Sequence, residues 1–224
     1  MVHIIKNIKR PAPDVLKAVA EFPPATLHEA QGRTGALDWR IKPIFPGMQF
    51  CGPALTVRCT PNDNLMLQAA ISIAQPGDVI VVDAGDSPEQ GPFGEVLATA
   101  AKARGVAALV FNCAVRDAPA IRKLGLPVFS IGLSIKGTVK ETLGEVNHPV
   151  VVGGVHIEPG DVVCGDDDGV VRVRAAEAGA IADKSREREA KEAGFMERLR
   201  NGENVLDVLG MGRVLEAKGC SWES

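Results

Sequence analysis

Arg116 and Asp117, with Glu95 twenty-one positions before the arginine, are the residues on which chemistry can be built in this chain. A guanidinium grips a carboxylate through parallel N–H donors, and an aspartate is a ligand for a hard divalent cation. Upstream, Gly91 and Gly94 bracket a turn that lets backbone approach a ligand closely. The helix that follows offers the amides of Val96 and Leu97, which have no intrahelical partner and form a seat for an anion such as a carboxylate. Glu95 begins the same helix and could face the same cleft. Each feature also has a plainer reading. A glycine turn before a helix is often only a turn, Asp117 ahead of Ala118-Pro119 is a ready N-cap, and Glu95 suits a helix N-terminus electrostatically.

The elements that must position these groups are legible around them. Leu97, Ala100 and Ala101 in an alanine-rich run predict a helix from about Gly94 to Arg104, closed by Gly105. Val106 to Asn112 is a short, continuously apolar run, the pattern of a strand covered on both faces. Arg116-Asp117 then falls just past the carboxyl end of that strand, where ligands sit in α/β sheets.

The same reading extends along the chain. Asp14–Phe22 is an amphipathic helix stopped by Pro23-Pro24, and Thr26 is the expected N-cap of a brief helix through Ala30. Two strands are expected between Ile41 and Cys59, the second at Ala54–Cys59. A helix follows at Leu65–Ala74, opened by Asp63-Asn64, with Asn64 as its cap in the plain reading. Strands are predicted at Val79–Asp83 and Val128–Ile131, separated from each other by the central segment and a helix at Pro119–Leu124. Val150–Val173 is β-rich, with turns at PGD (159–161) and DDDG (166–169). A long charged helix runs from Ala175 to about Asn201 with a narrow apolar stripe of Ile181, Phe195 and Leu199. Such a helix lies either across a neighbouring subunit or free in solvent.

Several tempting constellations have bland alternatives. His28-Glu29 matches no metal-binding spacing. Asp83 and Asp86 are candidates for a pocket rim or for turns. Lys136 and Lys140 could attract a polyanion, but an imine-forming lysine needs desolvation that this polar loop does not supply. Asp166–Asp168 lack the later ligands of a calcium loop, and hairpin geometry explains them better. His148 and His156 have no helpful spacing. Cys113 lies beside the proposed site, as a nucleophile or as a buried free thiol.

At FGEVLATAAKARGV followed by AVRD, the chain resembles the 4-hydroxy-4-methyl-2-oxoglutarate / 4-carboxy-4-hydroxy-2-oxoadipate aldolases, which belong to a wider group including the regulators of ribonuclease E activity. HEAQGRTG (28–35), GTVKETLG (137–144), PGDVVCGDDDGV (159–170) and the charged C-terminal helix extend the resemblance over nearly the whole chain. It implies a layered αββα α/β domain over 1–224 whose helical arm, about 175–224, reaches a neighbouring subunit in a trimer or pair of trimers. In that family an acidic residue, twenty intervening residues and Arg-Asp form a metal and pyruvate site. Carried over, Asp117 binds Mg²⁺ or Mn²⁺ directly, with Glu95 acting through water. Arg116 holds the pyruvyl group, and the amide of Leu97, in the Gly94–Leu97 turn, receives the carboxylate. Asn64 lies near the outer part of the substrate. Glu192, or else Glu189, comes from the adjacent subunit and acts through water. Glu95 departs from the Asp found in several such aldolases. Asp117 favours the aldolase branch, because the regulator branch typically lacks it. The implied activity is metal-dependent cleavage of a 4-hydroxy-2-oxo acid, with oxaloacetate decarboxylation as a second reaction. A non-catalytic regulator of a ribonuclease or helicase is the alternative. A methyltransferase has no glycine-rich nucleotide fingerprint here.

Length and composition bound these readings. The 224 residues suffice for one substantial core. A net charge of −3 without a basic stripe argues against nucleic acid as a partner. No apolar run is long enough to span a bilayer. Five cysteines without CxxC spacing read as reduced thiols, so a cytoplasmic protein is expected.

Overall fold

The computed structural model describes residues 3–223. Its elements begin with α1 (Pro13–Val19), α2 (Pro24–Ala30), β1 (Lys42–Pro43), β2 (Phe50–Arg58), α3 (Leu65–Ile73) and β3 (Val79–Asp83). The central segment forms α4 (Glu95–Ala103), β4 (Ala108–Phe111), β5 (Ala114–Val115), α5 (Ala118–Leu124), β6 (Val128–Ser130) and β7 (Gly132–Leu133). The remainder is β8 (Glu145–Val146), β9 (Val150–Val152), β10 (Val155–Ile157), β11 (Val162–Asp166), β12 (Gly169–Val173), α6 (Ala178–Arg200), α7 (Val205–Leu209) and α8 (Gly212–Ala217).

Strand β3 shows why these runs fold into layers. All four residues from Val79 to Val82 are fully buried, and alternate side chains enter different cores. Ile80 and Val82 pack with Leu67, Ala98 and Ile121 beneath α3, α4 and α5. Val79 and Val81 face the other way, onto Phe50, Phe129, Val152 and Val163. Beyond that second core, β11 and β12 turn Val162, Cys164, Val171 and Val173 outward onto Val19, Leu27 and Ile181 of α1, α2 and α6. The result is the expected mixed α/β arrangement of helix, strand, strand and helix layers.

The two strand layers belong to one curved sheet of order β1-β6-β4-β3-β2-β11-β12, with β8 pairing the end of β2. β2 makes the curve. Its residues 54–58 run parallel to β3, whereas residues 50–53 pair antiparallel with β11. One long strand therefore serves both layers. The Lys42 ammonium at β1 donates to the Asp168 carbonyl beside β12, so the ends of the sheet approach each other.

Some local expectations are corrected. Thr26 is not an N-cap: it is buried inside α2, whose N-cap is Pro23 with Pro24 at the first helical position. Asn64 occupies the N-cap position of α3 but makes no side-chain cap; Asp63 does this instead, Oδ1 accepting from Leu65 N at 2.8 Å. The DDDG segment is a hairpin turn, with Asp166 paired to Gly169. Of the stripe on α6, Ile181 is buried together with Ala178, Ala182 and Ser185, while Leu199 at the far end is exposed.

Asp63 also ties a distant loop to this frame. Its Oδ2 accepts from Glu141 N and Thr142 N, both at 2.7 Å. Burial would raise this carboxyl, but the backbone bonds from Leu65, Glu141 and Thr142 outweigh it and hold it below the usual aspartate range. A depressed folded-state value contributes stability above the unfolded value near 4, and that contribution is lost as pH falls through the folded value. Asp63→Ala, measured by urea unfolding at pH 7, is expected to destabilise the protein by about 2–4 kcal/mol. The difference from wild type should shrink progressively at acidic pH.

Candidate active site

The loop before α4 is held from below. Phe93 is fully buried against Phe111, ring centroids 5.3 Å apart, and its carbonyl accepts from Arg116 N at 2.9 Å. Asn64, itself buried, donates from Nδ2 to the Pro92 carbonyl at 2.7 Å and accepts from Gln68 Nε2 at 3.0 Å. Its amide is thus engaged in bracing the loop from behind. Gly91 is crowded by the protein itself. A Cβ there would meet the Ser134 carbonyl at 2.5 Å, so the close backbone approach it permits is that of the β7 loop.

Arg116 and Asp117 converge on the start of α4. Asp117 adopts the left-handed conformation, φ 58° and ψ 32°, uncommon for a non-glycine residue. It stands at the N-cap position of α5 without capping it. The twist sends its carboxylate to the neighbouring helix, where Oδ2 accepts from Glu95 N at 3.0 Å. The plain N-cap reading is therefore replaced by a link between two helices.

Gly94 is required by this convergence. A Cβ at that position would lie 2.3 Å from Asp117 Oδ2 and 3.0 Å from Arg116 Nε. The Arg116 side chain passes between Gly94 and the far loop, where a Cβ on Gly137 would sit 3.2 Å from its Nη1. Arg116 Nε lies 3.7 Å from Asp117 Oδ2, too long for a hydrogen bond but close enough for charge attraction. Both side chains remain more than 40% exposed. Among the described residues, the terminal guanidinium nitrogens and Asp117 Oδ1 have no hydrogen-bond partner.

The remaining predicted groups fall around this pair. Glu95 is exposed at the first position of α4. The amides of Val96 and Leu97 find no backbone partner among the described residues, as the first turn of a helix requires. Leu97 packs its side chain on the core, while Val96 is 81% exposed. Glu192 does not join them within the protomer. It pairs with Arg188 at 2.7 Å on α6, which packs on α1 and α2 in the opposite outer layer. Glu189 lies on the same helix.

Other candidates take structural roles. Burial pushes the Cys113 thiol far up, which removes its nucleophilic thiolate. Lys136 is ion-paired with Glu89. Asp83 Oδ1 accepts from Asn112 Nδ2 at 2.9 Å and serves the turn at Gly85. Glu29 pairs with Arg33 on the surface. Sequence reasoning named Asp63 only as part of a helix opening and Phe93 and Gly137 only as the first residues of matched motifs, and gave none of them a role in shaping the site.

The donor set suits a hard divalent cation. It is all oxygen, with one open carboxylate oxygen on Asp117 and an exposed carboxylate on Glu95, whose backbone amide Asp117 accepts from. Among the described residues no three acidic, histidine or cysteine side chains form a ready-made metal cage. A cation held by one carboxylate and water is of the Mg²⁺ type rather than the enclosed zinc type.

Residues 13–172 match the family model described as RraA-like, Aldolase/RraA. The chain belongs to this RraA-like family. A protein of Halalkalibacterium halodurans named "Putative 4-hydroxy-4-methyl-2-oxoglutarate aldolase" is 33% identical over 177 residues, 79% of this chain and 84% of that protein. Among solved structures, an uncharacterized protein from Pseudomonas syringae pv. tomato superposes with a TM-score of 0.82. It is 25% identical, over 92% of this chain and 97% of the other. Streptomyces coelicolor RraAS2, described as an unusual member of the RNase ES inhibitor RraA protein family, is 32% identical with a TM-score of 0.76. That match covers 85% of this chain and 100% of its own.

Because Gly94 leaves room for Asp117 Oδ2, Gly94→Ala is expected to displace that carboxylate from the Glu95 amide. Hydrogen exchange at Glu95 N–H should then accelerate at least about tenfold, as loss of a bond worth roughly 1.5–3 kcal/mol demands. Far-UV circular dichroism should stay unchanged.

Proposed function

We propose that this protein is a divalent-metal-dependent aldolase that cleaves a 4-hydroxy-2-oxo acid, 4-hydroxy-4-methyl-2-oxoglutarate or 4-carboxy-4-hydroxy-2-oxoadipate, releasing pyruvate. The observation that carries this reading is the convergence of Asp117, Arg116 and the unpartnered amides of Val96 and Leu97 at one exposed helix start. The aldolase name of the Halalkalibacterium relative supports it.

Each residue has a role in that reaction. The amides of Val96 and Leu97 bind the substrate carboxylate at the positive end of α4. Arg116 places its guanidinium at the 2-oxo oxygen and steadies the charge that develops there as the C–C bond breaks. Asp117, helped by Glu95 through water, would hold Mg²⁺ or Mn²⁺, which when bound would supply Lewis-acid stabilisation of the developing negative charge. Glu95, exposed at the rim, positions the water that removes the proton from the 4-hydroxyl. Oxaloacetate loses CO₂ with the same charge developing, so its decarboxylation is a second activity of the same groups.

The site is proposed to be completed by a second copy of the chain. Val96, Leu133 and Ile135 around it are 81%, 59% and 95% exposed, an apolar rim suited to a protein neighbour. Glu192 of an adjacent subunit would add its carboxylate through water, in a trimer or hexamer. A second reading, a non-catalytic regulator of a ribonuclease, draws support from the likeness to RraAS2. It predicts a folded protein without turnover.

Pyruvate release from the two hydroxy-oxo acids and from oxaloacetate separates these readings. With Mg²⁺ or Mn²⁺ turnover is expected, and EDTA should abolish it; a folded protein inert under all conditions supports the regulator. Arg116→Ala is expected to lower kcat about 10²–10³-fold, and Asp117→Ala to remove the metal dependence together with the activity. Co-expressed Arg116→Ala and Glu192→Ala subunits should recover activity that neither variant has alone. Full activity of Glu192→Ala by itself would remove the shared-site model.

A further inference from the structure

Cys51 and Cys164 stand directly opposite each other where the first half of β2 pairs antiparallel with β11. Opposed residues in such a pair hold their Cα atoms about 4.5–5.5 Å apart, within the span a disulfide needs. The two Sγ atoms are 2.7 Å apart, inside van der Waals contact. Cys51 is the partly exposed member, while Cys164 is 2% exposed. The pair lines a cavity of about 390 Å³ between the α1–α2 turn, at Phe22 and Pro23, and the strand ends at Phe50 and Asp166. None of the residues assigned to the aldolase reaction lines this cavity. Cys59 and Cys113 are buried in the main core, where burial pushes the Cys59 thiol up to about 12 and Cys113 further still; burial raises the Cys164 thiol as well. Cys220 is exposed in the C-terminal tail.

We propose that Cys51 and Cys164 are a reversible redox pair, which a peroxide converts into a cross-strand disulfide. The Cys51 thiolate attacks one peroxide oxygen and the O–O bond breaks. One oxygen stays on sulfur as a sulfenic acid, and the other leaves as water after taking a proton. The Cys164 sulfur then displaces the sulfenic oxygen as a second water and forms the S–S bond. Two thiols lose two electrons and two protons, and hydrogen peroxide is reduced to two waters. Opening the disulfide again needs an external dithiol, which it meets from the cavity side at Cys51. The cross-link joins positions 113 apart in sequence and ties β2 to β11 just before β2 hands over to β3.

The test uses the full chain carrying Cys220→Ser, which prevents disulfides between molecules. After treatment with hydrogen peroxide and alkylation, thiols titratable in denaturant should fall from four to two, given five cysteines less Cys220. Non-reducing peptide mapping should find the Cys51 and Cys164 peptides joined, with a mass loss of about 2 Da for the two hydrogens removed. Dithiothreitol should restore both thiols, and the oxidised form should melt several degrees higher than the reduced form, as a long closed loop demands. In Cys164→Ala, dimedone should trap a sulfenic acid on Cys51. Conversion of Cys51 to sulfinic acid with Cys164 left free would overturn the proposal. So would four free thiols after a peroxide dose that oxidises an exposed thiol peptide.

Discussion

The amide of Glu95 donates to the carboxylate of Asp117, and this hydrogen bond fixes how the starts of two helices packed on one core face each other. It requires Asp117 in the left-handed conformation, Gly94 without a side chain, and Arg116 threaded alongside. A non-glycine residue in that conformation costs about 1–2 kcal/mol, and a charge-assisted hydrogen bond at a helix N-terminus returns a similar amount. The balance leaves one carboxylate oxygen and the end of the guanidinium without a hydrogen-bond partner among the described residues. Those free groups are what a ligand would find.

The rest of the molecule makes this geometry rigid. Phe93 fills the core directly beneath the loop, so the backbone at Gly94 cannot drift without opening a cavity. Asn64 holds Pro92 from behind, and Asp63 pins the segment that leads back from the Gly137 loop. Strands β3 and β4 are parallel and buried on both faces, which places the exits of their loops at one end of the sheet. Functional groups carried on loops of such a sheet converge because the strands beneath them cannot shift independently.

In the proposed reaction, charge at the site would favour a cation before a substrate. Glu95 and Asp117 carry two negative charges against the single positive charge of Arg116, at a helix end that would otherwise attract anions. A divalent cation would reverse that balance and make the same place receptive to the proposed 2-oxo acid carboxylate. The exposed apolar side chains of Val96, Leu133 and Ile135 then become the natural contact for whatever shields the reaction from water.

Periodicity and punctuation alone determined most of the elements. Val79–Asp83 was legible to the residue because every position in it is apolar up to the closing aspartate. The α4 helix was legible because alanines and a closing glycine leave few alternatives. Their places at a helix start and past a strand end marked Glu95, Arg116 and Asp117, and the family resemblance gave their spacing a meaning. Two-residue strands such as β5, β7 and β8 left no local trace, since pairing alone defines them. Whether Asp117 caps its own helix or a neighbouring one depends on a backbone twist stabilised across the fold, so a one-dimensional pattern cannot express it. The same holds for Asn64, whose amide is engaged by the Pro92 carbonyl, and for Cys51 and Cys164, whose pairing follows from strand register. Local sequence determines which conformations a segment prefers; the contacts between segments far apart in the chain decide which polar groups are used up and which stay available.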